Sequence, residues 1–148
     1  MFNGASKFNQ DISGWQTGNV ENMQGIFHEA TKFNQDIGKW NTSKVRDMSY
    51  AFFAALSFNQ DLSLWDTSST QDMYGMFIQS PFNQNLASWN VSRVQSTTSM
   101  FHGATAFNND VSAWNVSSVN WMNSMFYVAI SFLSGHFAVL CSEHGFHR

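Results

Sequence analysis

The strongest constraint on the fold of this chain is a sequence repeat of about 25 residues. The string Phe-Asn-Gln-Asp-Ile, or a close variant of it, begins at five positions: Phe8, Phe33, Phe58, Phe82 and Phe107. A Trp follows seven residues after each of them, at Trp15, Trp40, Trp65, Trp89 and Trp114. The successive steps are 25, 25, 24 and 25 residues, and the short step coincides with Pro81, the single proline. A period of this length predicts a stack of similar coils that bury their apolar sides against one another.

Each repeat divides into an extended part and a part with helical spacing. In the second repeat, residues 36–40 place an apolar residue between polar ones, which predicts a short strand that runs into a turn. After Ser43, a predicted helix cap, one helix face is predicted from the spacing of Val45, Met48, Ala51, Phe52 and Ala55. The sequence therefore predicts an α/β fold: a right-handed, leucine-rich-repeat-like solenoid of about five coils, each with one short parallel strand and one helix.

The charge, the cysteine count and the lengths of the apolar runs exclude several classes of protein. The seven Lys and Arg residues are scattered along the chain, whose net charge is −3. Because affinity for nucleic acid depends largely on clustered basic residues, we expect no nucleic-acid partner. The single Cys141 excludes a disulfide framework. No apolar run approaches the roughly 20 residues of a membrane-spanning helix, so we predict no membrane span in this chain.

The repeat pattern resembles a known family. Phe-Asn-Gln-Asp-Ile-Ser-x-Trp, followed by Asn-Thr-Ser-x-Val-x-x-Met, is similar to the BspA-like leucine-rich repeat family of surface proteins. The resemblance covers residues 1–132, an array that starts in mid-repeat and so indicates a fragment. Residues 133–148 form a divergent tail, which we expect to be non-native or disordered. The resemblance implies a leucine-rich-repeat solenoid, commonly at the cell surface, with a role in adhesion or recognition and no catalytic residues.

An acidic column is the first candidate binding surface. Its members recur once per repeat on the predicted strands: Asp11, Asp36, Asp61, Asn85 and Asp110. Side chains two residues apart point the same way, so the same face would carry Ser13, Ser63 and Ser112. One interpretation is a concave ligand surface for a basic partner or a cation. The other is structural, with each carboxylate accepting hydrogen bonds from a neighbouring coil. One Asp per coil is a poor supply of oxygen ligands, so we predict no metal site.

Other recurrent positions have both structural and functional interpretations. The five Trp residues are predicted to be core, with an exposed platform for sugar rings as the alternative. The amides that precede the acidic column are predicted to hydrogen-bond along the stack: Gln10, Gln35, Gln60, Gln84 and Asn109. The N-glycosylation sequon begins at Asn41, Asn90 and Asn115. An aligned hydroxyl array of the kind found in ice-binding proteins would comprise Thr17, Thr42 and Thr67. A tail cluster, which matches no standard zinc spacing, comprises His136, Cys141, His144 and His147.

No nucleophile, base and orienting group converge in the sequence, so we predict no enzymatic activity and no cofactor. The predicted function is a non-enzymatic recognition or adhesion module that binds a protein or a surface glycan through the strand face. The alternatives are a purely structural spacer or wall component, and a glycan-binding or ice-binding surface.

Overall fold

Turns build most of each coil in the computed structural model, which describes residues 1–135. Within these residues, the one helix is α1, Ile130–Gly135. Extended pairing in the same part of the chain consists of isolated parallel bridges, which join Asn22 to Asp47, Asp47 to Asp72, Asp72 to Ser96 and Ser96 to Trp121. The prediction of an α/β solenoid with one strand and one helix in every coil is therefore wrong. The described residues contain no helix with the length and apolar character that a membrane span requires.

Backbone hydrogen bonds nevertheless join each coil to the next. Between the first two coils, alternate N–H groups donate to carbonyls 24 residues later, at N···O distances of 2.7 to 2.9 Å, from Met23, Gly25, Phe27 and Glu29 to Asp47, Ser49, Ala51 and Phe53. The same pattern continues from Met48 to Asp72 and from Met73 to Ser96. Because donor and acceptor keep the same offset from one pair of coils to the next, apart from the one-residue deletion, the repeats are stacked in register.

The segment with helical spacing is a series of β-turns. In the second coil, every other N–H donates to the carbonyl three residues back: Ala51 to Met48, Phe53 to Tyr50 and Ala55 to Phe52. The intervening N–H groups of Tyr50, Phe52 and Ala54 donate to the third coil instead. An α-helix would need each of these groups to bond four residues back within its own segment.

Backbone dihedrals explain why the turns do not merge into a helix. Tyr50 and Ala54 have φ values of 56° and 49°, in the left-handed region that a right-handed helix excludes. Two such positions occur in each coil, and glycine occupies some of them, at Gly25, Gly75 and Gly103. A left-handed residue thus interrupts the right-handed backbone every four residues, and the segment remains a series of separate turns.

Two columns of Phe rings fill the interior. The first runs through Phe27, Phe52, Phe77, Phe101 and Phe126, and the second through Phe33, Phe58, Phe82, Phe107 and Phe132. Rings of the two columns stack within a coil, at 3.9 Å between the Phe27 and Phe33 centroids. Rings of one column stack between coils, at 5.6 Å between Phe27 and Phe52. These rings form a continuous aromatic core through the stack.

Side-chain amides join the coils in the Phe-Asn-Gln-Asp part of the repeat. Asn34 Oδ1 accepts the Asn59 N–H at 3.0 Å and the Gln60 Nε2–H at 3.1 Å. The same bonds recur from coil to coil, for example between Asn9 and Gln35. Four of the five predicted amides therefore bond along the stack, each donating from a half-buried position to the Asn of the preceding coil: Gln35, Gln60, Gln84 and Asn109. The backbone N–H groups of Asn34, Asn59, Asn83 and Asn108 thus gain partners in the preceding coil without a β-ladder.

Candidate functional site

The acidic column does not lie on a sheet, because the described residues contain none. Each member is exposed, and its Oδ1 accepts the backbone N–H two residues later in its own coil, at 2.8 or 2.9 Å: Asp11, Asp36, Asp61, Asn85 and Asp110. In three coils the donors are the predicted neighbours Ser13, Ser63 and Ser112. The bonds from the Ser13 backbone N–H and the Ser13 hydroxyl hold the pKa of Asp11 below its usual value. Each of these five bonds thus closes a turn within one coil.

The Trp column lies mostly in the core. Four of its members are buried, namely Trp40, Trp65, Trp89 and Trp114, whereas Trp15 in the first coil is 43% exposed. Each buried indole donates its Nε1–H to a carbonyl of the preceding coil, as Trp65 does to Ile37 at 3.0 Å. A row of exposed rings for sugar binding is therefore not formed at this register.

The aligned threonines are also engaged in structure. Thr17, Thr42 and Thr67 are buried, and each hydroxyl donates to a carbonyl of the following coil at 3.0 or 3.1 Å. An ice-binding surface needs an exposed hydroxyl array, which these three residues do not provide.

The three sequons lie at exposed turns. The Oδ1 atoms of Asn41, Asn90 and Asn115 each accept the N–H of the serine two residues later, at 3.0 to 3.2 Å. Ser43, which was predicted to cap a helix, is therefore the end of a side-chain-closed turn. The tail cluster of His136, Cys141, His144 and His147 lies outside the described residues. Within residues 1–135, no group of three or more His, Cys, Asp or Glu residues is arranged to hold a metal ion.

The bridged segments carry a second surface, which sequence reasoning did not single out. We use "ladder face" for the outward side chains of residues 21–29 and of the equivalent residues 46–54, 71–79, 95–103 and 120–128. Its chemistry changes from coil to coil. One register reads Gln24, Ser49, Tyr74, Thr98 and Asn123, of which Ser49 alone is buried, and another reads His28, Phe53, Ile78, His102 and Tyr127. The buried registers next to them stay Phe, Met, Val or Ala with few exceptions.

A groove of about 450 Å³ opens on the ladder face across three coils. We call it the ladder groove, and it is lined by Gln71, Asp72, Tyr74, Gln95, Ser96, Thr98 and Trp121. Its volume falls in the range of small-molecule sites, roughly 300–1,000 Å³. The lining combines amide, hydroxyl and carboxylate groups with two aromatic rings, and it includes neither Lys nor Arg. The groove therefore suits an uncharged, polar ligand with one apolar face.

The Asp72 carboxyl group of the groove and the Tyr50 phenol beside it are both shifted toward their neutral forms. Burial raises the pKa of Asp72, and the nearby Asp47 carboxylate acts in the same direction, whereas the Tyr74 N–H opposes it. Burial also raises the pKa of Tyr50 to about 12, with further contributions from its bond to Tyr74 and from the charge of Asp72. The Tyr50 and Tyr74 rings meet edge to face, with centroids 4.9 Å apart. These contacts hold Tyr74 in place at the rim of the groove.

A signal for this surface is present in the sequence. The register of Gln24 carries five different residues in five repeats, while the register of Phe27 carries Phe in all five. Alignment of the repeats reveals this contrast. Residues 46–54 are predicted to form a helix, which would place only one of its sides outward. For that reason the variable register is not recognised as part of a binding surface.

Comparison with known proteins gives one match to a family model, described as "Mycoplasma protein of unknown function, DUF285". The model matches twice, over residues 1–81 and 65–138, as expected for a repeated unit. No curated protein matches the chain, and no solved structure does. Because the two matches together span most of its length, the chain belongs to the DUF285 family.

Proposed function

We propose that this chain is a non-enzymatic recognition module of a surface or secreted repeat protein, and that it binds its partner through the ladder face. The BspA-like resemblance of the repeats supports a role in recognition or adhesion. The observation that carries the proposal is the contrast between registers. Positions that bond or pack inside the stack repeat, whereas outward positions of the ladder face differ from coil to coil.

Residues that support the stack and residues that bind a ligand have different surroundings. A residue that supports every coil meets the same surroundings in every coil, so the same side chain serves each time. A ligand surface meets a partner without that periodicity, so its side chains differ. The acidic column belongs to the first group, because each member closes the same turn. The registers of Gln24 and His28 belong to the second.

The test applies the labelled chain to an array of purified extracellular proteins and polysaccharides. The double variant Gln71→Lys, Gln95→Lys changes two exposed side chains of the ladder face without removing core contacts. We expect the chain to bind at least one component and the variant to lose that binding. The matched control is Asp36→Ala, Asp61→Ala, which should keep the binding but melt at a lower temperature, because two side-chain-closed turns are lost.

Two results would contradict the proposal. Absence of binding to every component would favour a structural spacer. Loss of binding in the Asp36→Ala, Asp61→Ala variant at an unchanged melting temperature would place the site on the acidic column.

A further inference from the structure

Trp121 differs in type from the residues at the equivalent position of the preceding coils, which are Asn22, Asp47, Asp72 and Ser96. In the preceding coils this position holds a short side chain whose oxygen accepts the backbone N–H two residues later. The bond is 2.7 Å from Gln24 to Asn22 and 2.7 Å from Tyr74 to Asp72. An indole has no acceptor for that bond. The fifth coil therefore gives up a structural hydrogen bond and holds an aromatic ring that is 57% exposed.

The ring stands beside polar groups of the two preceding coils. Tyr74 and Thr98 occupy one register of the ladder groove, and Gln71 and Gln95 another. Neighbouring coils at a β-bridge are about 4.8 Å apart, so the lining extends over roughly 10 Å. Asp72 Oδ1 accepts the Tyr74 N–H at 2.7 Å, which leaves its Oδ2 as an acceptor for a ligand hydroxyl. Donors and acceptors thus lie along one side of an exposed aromatic ring.

Other classes of ligand fit this chemistry poorly. Phosphorylated or sulfated ligands need Arg, Lys or a helix N-terminus, and none lines the groove. An amphipathic helix needs several apolar anchor pockets. An added peptide strand needs unpaired backbone groups, whereas Gly75 and Thr97 already donate to Thr98 and Trp121 at 2.9 Å.

We propose that the ladder groove binds a neutral saccharide, with one sugar ring stacked on Trp121 and its hydroxyls bonded by Asp72 and the Gln95 amide. A pyranose ring has a face of C–H groups edged by hydroxyls, so it matches one aromatic ring flanked by polar groups. The inference rests on the proposed recognition function and names the chemistry of the ligand. Acidic saccharides bind more weakly, because the Asp72 carboxylate repels them.

The experiment is isothermal titration of the full chain with linear oligosaccharides of glucose, mannose, galactose and N-acetylglucosamine, and with polygalacturonate. At least one neutral oligosaccharide should bind with micromolar to millimolar affinity, and polygalacturonate more weakly. Trp121→Ala should weaken the binding by roughly tenfold or more, whereas Trp121→Phe, which keeps a ring, should retain most of it. Leu64→Ala, at an exposed apolar residue outside the groove, is the matched control and should bind as the parent chain does.

Two outcomes would overturn the saccharide inference: no neutral oligosaccharide binds, or binding is equal in Trp121→Ala and the parent chain. If the array instead detects a protein whose binding is lost in the Gln71→Lys, Gln95→Lys variant, the recognition function stands and only the ligand class is wrong. If neither assay detects binding, both proposals fail.

Discussion

At the residue scale, Thr97 occupies a position that is apolar in the other coils. Its register otherwise holds Met23, Met48, Met73 and Met122, and the Thr97 hydroxyl is buried with no hydrogen-bond partner among the described residues. A buried hydroxyl that loses water and gains no partner destabilises the folded state. The fourth coil therefore contains a local weakness that its neighbours lack.

We predict that Thr97→Val raises the free energy of unfolding by about 1 kcal/mol, because it removes the unpaired hydroxyl and keeps the shape. The matched control is Thr70→Val. Thr70 is equally buried, but its hydroxyl donates to the Val45 carbonyl at 3.1 Å, so its replacement should lower stability by about 1 kcal/mol. Urea denaturation measures both. Opposite signs support the assignment, and a loss of stability in Thr97→Val contradicts it.

At the element scale, the turn segments show why sequence reasoning reached the stack but not its elements. The spacing of Met48, Ala51, Phe52 and Ala55 fits a helix face, and all four side chains are indeed fully buried. A series of β-turns buries residues at the same spacing, so apolar periodicity alone does not separate the two. The informative signal was glycine, since Gly4, Gly25, Gly75 and Gly103 all fall at positive-φ positions. Glycine is unfavourable inside a helix.

The sequence predicts the residues of the candidate site less well than it predicts the stacking of the coils. The repeat pattern predicts Asp36 and Asp61 as strand residues with outward carboxylates, and of this prediction the exposure of both residues is correct. Their bonds to the N–H two residues later depend on local backbone conformation, which the alternation of polar and apolar residues does not specify. The ladder groove depends on the lateral alignment of three coils, so its residues become neighbours only once the register is known.

The sign of the change in unfolding free energy caused by one substitution, Ala54→Gly, distinguishes a turn from a helix. Ala54 has a φ of 49°, a conformation that costs an L-residue about 1–2 kcal/mol and glycine almost nothing. We therefore predict that Ala54→Gly raises the free energy of unfolding by about 0.5–1 kcal/mol, after the extra entropy of glycine in the unfolded chain is subtracted. In a helix the same change would lower it by about 1 kcal/mol.

Ala55→Gly is the matched control for that prediction. Ala55 is fully buried and is not among the positive-φ residues, so its replacement should destabilise the chain. Thermal and urea unfolding of both variants give the comparison. A loss of stability in Ala54→Gly equal to that in Ala55→Gly would contradict the turn assignment.

At the scale of the whole molecule, a substitution should cost more where two neighbouring coils enclose the side chain. Trp65 is 3% exposed and donates to the Ile37 carbonyl, whereas Trp15 of the first coil is 43% exposed. We predict a loss of about 3–5 kcal/mol for Trp65→Ala, through cavity formation and the lost hydrogen bond. Trp15→Ala should lose less, because part of that ring already contacts water.

Equilibrium unfolding monitored by circular dichroism tests this comparison. Equal losses in the two variants would indicate that the coils do not enclose Trp65 more fully than Trp15. A loss below about 1 kcal/mol for Trp65→Ala would mean that the ring is exposed, and the Trp register would again be available for stacking sugars.

The short step in the repeat has a consequence for how such a protein changes over evolutionary time. One residue is missing between Ser80 and Phe82, yet Asn83 still donates to Asn59 Oδ1 at 2.8 Å, as in the longer coils. Loss of a residue at that corner therefore preserves the bond that follows it, while the Phe82 N–H donates to Ser80 Oγ at 3.3 Å in place of the carbonyl used in other coils. Because the hydrogen bonds between coils in residues 1–135 join immediate neighbours, duplication or removal of the gene segment that encodes one coil also preserves the repeated pattern of these bonds. Selection can thus change the end-to-end length of the molecule one coil at a time, independently of the residues on its surface.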